Sequence, residues 1–105
     1  MRPPKDSPWG SVQQAEKVAD GIWFVYTAGH GGIWLDPDHQ ERMPACKNFL
    51  NSKCWWEEDC DWAIPYLVFQ DEIRGQDVGF ENHRINAVRT VRTWHPEFEI
   101  PEVPQ

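Results

Sequence analysis

Apolar residues are concentrated in two short runs in the first third of the chain, residues 22–28 and 33–35. Both runs are rich in β-branched and aromatic side chains, which favours strands over helices. Gly29-His30-Gly31-Gly32 lies between them, and its three glycines permit a tight turn with positive φ angles. The pattern predicts a β-hairpin that holds the imidazole of His30 at its tip.

A third strand is predicted just before this hairpin. Asp20-Gly21 is a strong turn signal that leads from residues 11–18 directly into the first apolar run. Strands over residues 11–18, 22–28 and 32–35 would form a three-stranded antiparallel meander.

The chain after the hairpin carries the start signal of a short helix. Asp36 is a suitable N-cap, and Pro37 fits the first helical position because its missing N–H has no helical partner there. Pro44 should interrupt the helix by residue 43. One further helical turn is expected over residues 45–50.

Two more helices are predicted from apolar spacing. Residues 55–62 should open the first, since three acids would face the positive end of its dipole, and Pro65 should kink or end it. Residues 71–79 are predicted to form a loop. The second helix is predicted over residues 81–93 by apolar residues at every third position: Ile85, Val88, Val91 and Trp94.

These elements predict an α+β fold, a small antiparallel sheet with two or three helices packed on one face. We expect residues 9–96 to form one domain. Residues 1–8 should be a flexible N-terminal arm and residues 97–105 an extended C-terminal tail, because both are rich in proline.

Composition limits the classes of function. The 105 residues carry 10 Lys and Arg against 17 Asp and Glu, and a net charge of −7 argues against direct binding to nucleic acid. No stretch is apolar enough for a membrane span or a signal peptide, so we expect a cytoplasmic protein. Three cysteines without a secretory signal are expected to remain reduced.

The candidate metal ligands lack the spacing of a structural zinc site. Such sites usually contain paired ligands two to four residues apart, whereas Cys46, Cys54 and Cys60 are separated by eight and six residues. The histidines at positions 30, 39, 83 and 95 form no His-x-x-x-His pair. The sequence therefore predicts neither a metal site nor a cofactor.

An enzymatic alternative centres on His30. Its imidazole could act as a base with Glu57 or Glu58 as the orienting carboxylate, and Cys54 or Cys60 could serve as a nucleophile. No nucleophile elbow, P-loop or dinucleotide fingerprint accompanies these residues. We therefore expect a protein that is not an enzyme, with this site as the alternative.

Negative charge is concentrated in one part of the chain. Eight acids and a single base, Arg74, lie between residues 57 and 81, so this segment accounts for the whole net charge. Segregated acids create a field that steers a basic partner and competes for its phosphate-binding site. Trp55 is expected to supply the contact core, with Trp56 turned inward. The predicted partner-binding residues are Glu57, Glu58, Asp59, Asp61, Asp71, Glu72, Asp77 and Trp55.

Four motifs carry a resemblance to a known family: PWG at residues 8–10, TAGHGGIWLDP at 27–37, WEEDCDWA at 56–63 and WHPE at 94–97. They resemble a small uncharacterised domain family found in proteins of bacteriophages, plasmids and other mobile elements. Because this family has no assigned chemistry, the resemblance identifies no catalytic residue in this chain. It implies a setting in which short acidic proteins often act as counter-defence factors, similar in type to anti-CRISPR proteins.

We therefore expect a cytoplasmic, non-enzymatic inhibitor from a phage or mobile element, which binds a basic surface of a host nucleoprotein complex as an acidic decoy. One alternative is a small enzyme or metal-dependent module at His30 with Glu57 or Glu58. Another is a structural domain that forms homo-oligomers such as a homodimer. Reversing two or three acids would abolish inhibition, whereas replacing His30 would abolish catalysis.

Overall fold

The computed structural model describes residues 1–46 and 48–102. The strands in this part of the chain are β1 (Asp6–Ser7), β2 (Gly10–Ser11), β3 (Gln14–Ala19), β4 (Ile22–Tyr26), β5 (Gly31–Leu35) and β6 (Trp55–Glu57). Its helices are α1 (Pro37–Arg42), α2 (Ala63–Val68), α3 (Gln70–Arg74) and α4 (Phe80–Trp94). The main sheet is antiparallel with the strand order β3-β4-β5-β6, while β1 and β2 form a separate ribbon. The predicted α+β class is confirmed, and the predicted meander corresponds to β3, β4 and β5.

The β4–β5 hairpin has a regular register, with Phe24 opposite Ile33. Thr27 closes its turn, because the Thr27 N–H donates to the carbonyl oxygen of His30 and the Thr27 hydroxyl accepts from the His30 N–H at 3.1 Å. The imidazole of His30 therefore stands at the exposed tip of the hairpin, as predicted.

Helix α1 confirms the predicted start and end. The Asp36 carboxylate accepts a hydrogen bond from the His39 N–H at 3.0 Å, which is the expected N-cap contact. The helix ends at Arg42, before Pro44. The further turn predicted over residues 45–50 is not helical at residues 45, 46 and 48–50, and residue 47 lies outside the described residues.

The predicted helix start at residues 55–62 is wrong, because Trp55–Glu57 form β6 and pair antiparallel with β5. Trp56 lies opposite Ile33 and is 1% exposed. Side chains alternate along a strand, so an extended backbone turns Trp56 into the core while its two neighbours point the other way. Burial of this large ring beside the hairpin outweighs the helical signals of the local sequence.

The helices after β6 also differ from the predicted ones. α2 begins only at Ala63, so Pro65 lies in its first turn, where a missing N–H leaves no helical hydrogen bond unmade. The predicted loop over residues 71–79 contains most of α3, which is anchored by the fully buried side chain of Ile73. The acids at residues 57–61 precede a helix and do not form its first turn.

Helix α4 spans the predicted region but buries a different stripe. Its buried residues are Phe80, Ala87 and Val91, at spacings of seven and four. A strict spacing of three drifts around a helix of 3.6 residues per turn, so Ile85 and Trp94 turn outward and are 47% and 62% exposed. Spacings that mix three and four keep side chains on the core side.

The core lies between the helices and one face of the main sheet. It includes Ile22, Ile33, Leu35 and Trp56 from the strands and Ile64, Leu67, Ile73 and Val91 from the helices. The opposite face is in contact with the N-terminal segment, since the ring of Trp9 packs edge-on against Trp55 with centroids 5.6 Å apart. Among the described residues, no helix combines the length and apolar character needed to span a membrane.

Both ends of the described chain pack against the domain. Residues 1–8, predicted to be a flexible arm, contribute β1, and the Met1 carbonyl accepts a hydrogen bond from the indole of Trp23 at 3.1 Å. In the tail, Phe98 and Ile100 pack against the core, and the Pro101 carbonyl accepts from the Gln70 amide at 2.9 Å. The predicted tail over 97–105 includes residues 103–105, which lie outside the described residues.

Candidate functional site

The β5–β6 pairing joins the glycine turn to the acidic motif that follows Trp56. Glu57 lies opposite Gly32, and its Oε1 atom is 3.9 Å from Nδ1 of His30. Burial raises the pKa of Glu57, although a hydrogen bond from the Asp59 N–H opposes this rise. The structure thus brings together His30 and Glu57 of the predicted alternative site.

Glu58 takes no part in that pair. Consecutive strand residues point to opposite faces, so Glu57 is directed toward His30 and Glu58 toward the face of the sheet that carries the helices. There Glu58 lines a cleft together with Tyr26. In the described part of the chain, no ion pair joins His30 to Glu58.

The cleft lies between β3 and β4 on one side and α2 and α4 on the other, and has a volume of about 410 Å³. This size is within the range of about 300–1,000 Å³ that is common for binding pockets. Its floor is largely aromatic, since the rings of Phe24 and Tyr26 lie 5.1 Å apart and those of Trp62 and Tyr66 lie 5.5 Å apart. The polar lining groups include Glu16, Glu58, Asp77, His83 and the hydroxyl groups of Tyr26 and Tyr66.

Asp77 is held inside the cleft by hydrogen bonds. Its Oδ2 atom accepts from the Tyr66 hydroxyl at 2.6 Å and lies 2.7 Å from Nδ1 of His83. Burial opposes ionisation, but the hydrogen bonds from Tyr66 and His83 outweigh it and lower the pKa of Asp77. Burial, together with the charge and hydrogen bond of Asp77, raises the pKa of Tyr66. Asp77 is therefore engaged within the protein and shapes the wall of the cleft.

Glu16 and Glu58 give the cleft its charge. No ion pair neutralises either carboxylate among the described residues. Glu16 lies opposite Phe24 in the register, and its Oε2 atom accepts from the Tyr26 hydroxyl at 3.4 Å. Burial and the nearby charge of Glu16 raise the pKa of Tyr26. Lys17 also lines the cleft, but its ammonium pairs with Asp20.

The remaining residues of the predicted acidic face do not form one exposed surface. Asp61 was expected at a partner interface, but it is 1% exposed and its Oδ2 atom accepts from the Phe49 N–H at 2.8 Å. Glu72 contacts His39 and Arg42. Asp59 and Asp71 are exposed, while Trp55 is half-buried against Trp9.

Asp61 also joins two of the sequence motifs in the interior. Its Oδ1 atom is 2.9 Å from Nε2 of His95, at the end of α4, and 3.6 Å from Sγ of Cys60. Burial and the charges of Asp61 and Glu57 raise the pKa of Cys60 to about 12, so its thiol is protonated at neutral pH. This environment does not favour Cys60 as a nucleophile.

Sequence reasoning missed Glu16, Tyr26, Tyr66 and His83 as site residues. Alternation along β3 and β4 places Glu16 on the same face as Phe24, and this signal was available once both strands were predicted. Asp77 and His83 lie six residues apart across the start of α4, so their contact is local. The hydrogen bond of Asp77 with Tyr66 instead requires that the start of α4 packs near α2.

The structure defines a small α+β domain with an acidic cleft whose floor is aromatic. The model of the DUF7007 family, a domain of unknown function, matches residues 2–100, and the chain belongs to this family. This finding confirms the expectation of a small uncharacterised domain family. No curated protein and no solved structure matches the chain.

Proposed function

We propose that this protein is a non-enzymatic inhibitor encoded by a phage or other mobile element, similar in type to anti-CRISPR proteins. It binds a basic, nucleic-acid-binding surface of a host protein complex and acts in the host cytoplasm. The partner inserts a cationic side chain, from lysine or arginine, into the cleft. The protein does not contact nucleic acid directly.

The observation that carries this proposal is that carboxylates and aromatic rings line the same cleft. Glu16 and Glu58 have no cationic partner in the described part of the chain, and they stand beside Phe24, Tyr26 and Trp62. Both the carboxylates and the rings stabilise a bound guanidinium or ammonium group. The carboxylates form charged hydrogen bonds with it, and the ring faces attract it by cation–π interaction. Aromatic side chains in a partly enclosed pocket are also typical of binding hot spots.

Net charge supports the same class of partner. A chain with net charge −7 is attracted to basic surfaces over distances longer than a hydrogen bond, and this attraction weakens as salt screens it. Occupation of a phosphate-binding surface by carboxylates excludes nucleic acid from that surface. The proposed interface is smaller than the face predicted from sequence, since Asp61, Glu72 and Asp77 are engaged inside the protein.

The test is a pull-down of tagged protein from a bacterial host lysate, analysed by mass spectrometry at low and then raised salt. We expect recovery of a nucleic-acid-handling complex that is released as salt increases. The double variant Glu16→Lys/Glu58→Lys should lose this complex. The control Glu41→Lys/Glu99→Lys makes the same change in net charge at exposed positions outside the cleft and should retain it.

Two results would overturn the proposal. One is a folded wild-type protein that recovers no nucleic-acid-handling partner. The other is equal loss of the partner in both double variants, because binding would then depend on net charge and not on the cleft.

A second candidate function is a small enzyme at His30 and Glu57. It is favoured by the raised pKa of Glu57 and by its Oε1 atom, which is buried without a hydrogen-bond partner and faces His30. Substrate screening with the wild type and the His30→Ala variant tests it, since an enzyme would lose turnover while keeping its fold.

A further inference from the structure

Two buried side-chain atoms in the described residues have no hydrogen-bond partner, Oε1 of Glu57 and Nε2 of His95. Oε1 of Glu57 faces His30, whereas Nε2 of His95 faces Asp61. Native proteins leave few buried polar atoms unpaired, so each such atom calls for a physical explanation. Cys60 lies near both residues. Its Sγ atom is 3.7 Å from Oε2 of Glu57. It is also 3.6 Å from Oδ1 of Asp61, the carboxylate oxygen that faces His95.

Nε2 of His95 lies 2.9 Å from Oδ1 of Asp61 but makes no hydrogen bond to it. In the neutral imidazole a ring nitrogen that carries no proton has a lone pair. At Nε2 this lone pair can bind a metal ion beside the Asp61 carboxylate.

The three ligand atoms are also spaced as a metal would require. Sγ of Cys60, Oδ1 of Asp61 and Nε2 of His95 all lie within 4.8 Å of one another. Ligand atoms of a tetrahedral zinc site are separated by about 3.3–3.8 Å, given zinc bond lengths of about 2.0–2.3 Å. The S–O separation of 3.6 Å matches this value, and the N–O separation of 2.9 Å needs a small outward shift.

We propose that this protein binds one Zn²⁺ ion through the thiolate of Cys60, the carboxylate of Asp61 and the imidazole of His95. A thiolate, an imidazole and a carboxylate are the donor set that zinc accepts. The Cys60 S–H bond breaks on binding, the sulfur pair forms the Zn–S bond, and the proton passes to solvent. The fourth position falls to water or to Glu57, whose Oε2 atom is the nearest further carboxylate oxygen to the thiol.

Groups around the three ligands support this assignment. The second oxygen of Asp61 is held by the Phe49 N–H at 2.8 Å, which fixes the carboxylate. The contact of Nδ1 of His95 with Oε1 of Glu97, at 3.9 Å, is longer than a hydrogen bond, so the fixed outer contact is the one to Asp61.

The position in the fold points to a structural role. Asp61 is 1% exposed and the side chain of His95 is 12% exposed, so substrate has little access to the ion. The metal joins the turn before α2 to the end of α4, and these are the segments that carry the EDCDW and WHPE motifs. This inference stands apart from partner binding, because none of the three ligands lines the acidic cleft.

Metal content and Co²⁺ spectra of the full-length protein test the proposal. We expect one equivalent of zinc after expression in zinc-supplemented medium and gel filtration. Co²⁺ substitution should give a thiolate-to-cobalt charge-transfer band and visible absorption of tetrahedral intensity. Zinc should also raise the melting temperature of metal-depleted protein.

Matched variants separate this site from adventitious binding. Cys60→Ser and His95→Gln should lose the metal equivalent, and Cys60→Ser should lose the charge-transfer band. Cys54→Ser and His83→Gln change a cysteine and a histidine outside the cluster and should keep both signals.

Two outcomes would overturn the zinc site. The first is a folded wild-type protein that takes up less than a tenth of an equivalent of zinc. The second is a charge-transfer band that survives in Cys60→Ser. If a variant does not fold, the wild-type Co²⁺ spectrum decides the question, because a thiolate ligand gives the charge-transfer band and carboxylate and imidazole ligands alone do not.

Discussion

Glu72 of α3 reaches back to His39 of α1, with 2.9 Å between Oε1 and Nε2. The other ring nitrogen of His39 lies 2.6 Å from Oδ1 of Asp36, so both nitrogens of a buried imidazole face carboxylates. Arg42 adds a hydrogen bond of 3.0 Å to the second oxygen of Glu72. This network connects α3 to the start and end of α1. Glu72, which the charge pattern of the sequence predicted to be a partner-binding residue, therefore stabilises the fold.

Glu72→Gln should lower the free energy of unfolding by about 1 kcal/mol, because it weakens charged hydrogen bonds that solvent partly screens. Urea denaturation measures this change. The neighbouring exposed acid provides the control, since Asp71→Asn should change stability by less than about 0.5 kcal/mol. Equal losses in the two variants would contradict the role of the His39 contact.

Stability should fall in acid below about pH 4.5, since Asp36, Glu72 and Asp77 all have lowered pKa values in the folded state. Burial opposes each shift, but hydrogen bonds from His39, Arg42, Tyr66 and His83 outweigh it. The unfolded chain therefore takes up protons before the folded chain does. Their contribution is complete above the ordinary values of 3.8 for Asp and 4.5 for Glu, and it is lost as pH falls through the lowered values.

The urea midpoint measured from about pH 6 to about pH 3 checks this sign. Asp77→Asn should flatten part of the acid decline, because it removes one of the three carboxylates with a lowered pKa. Glu57 acts in the opposite direction because burial raises its pKa, so comparison of variants is more informative than the wild-type curve alone. A midpoint that rises steadily on acidification would contradict the prediction.

The β5–β6 pairing should depend on the absence of a side chain at Gly32. A Cβ atom there would overlap the carbonyl oxygen of Trp56 and lie 2.7 Å from the ring of Trp9. Gly32→Ala should therefore destabilise the protein by about 3 kcal/mol, the upper part of the range for overpacking. Thermal or urea unfolding measures the loss.

Gly29→Ala is the matched control in the same turn region. A Cβ atom at Gly29 would meet nothing within 4 Å, and the residue has no positive φ angle. We expect this variant to be neutral or slightly stabilised, because alanine reduces the freedom of the unfolded chain. A Gly32→Ala protein as stable as Gly29→Ala would show that β6 is not held as closely as the structure indicates.

The sequence predicted the strands and helices that are determined by interactions between residues close in the chain. The β4–β5 hairpin follows from apolar alternation and a glycine turn, and α1 follows from the Asp36 cap and Pro44. Strand β6 could not be found in the same way, because it is stabilised by pairing with β5 and by the burial of Trp56. The helical signals of its acids were real but weaker than this tertiary contact.

The candidate site was likewise predicted only where its contacts are local. The number of charged residues can be read from the sequence, but their ion-pair and hydrogen-bond partners cannot, because those partners lie far along the chain. His39 is 33 residues from Glu72, and Asp61 meets His95 only because α4 returns to the turn before α2. The pairing of His30 with Glu57 was a sequence hypothesis that strand register made geometrically possible. The separation of Glu57 from Glu58 could not be predicted without knowing that Trp55–Glu57 form a strand.

His30→Ala should leave partner binding unchanged and confine its effect to stability. The imidazole is 58% exposed, and its Nδ1 atom is 3.9 Å from Glu57, which is longer than a hydrogen bond. The free energy of unfolding should therefore change by less than about 0.5 kcal/mol.

Glu58→Lys, by contrast, should weaken capture of the partner at least tenfold because it reverses a charge inside the cleft. Urea denaturation and titration of the captured complex measure the two effects. If His30→Ala and Glu57→Gln instead abolish a turnover activity while Glu58→Lys leaves it intact, the enzyme at the hairpin tip is the correct function and the acidic cleft is not.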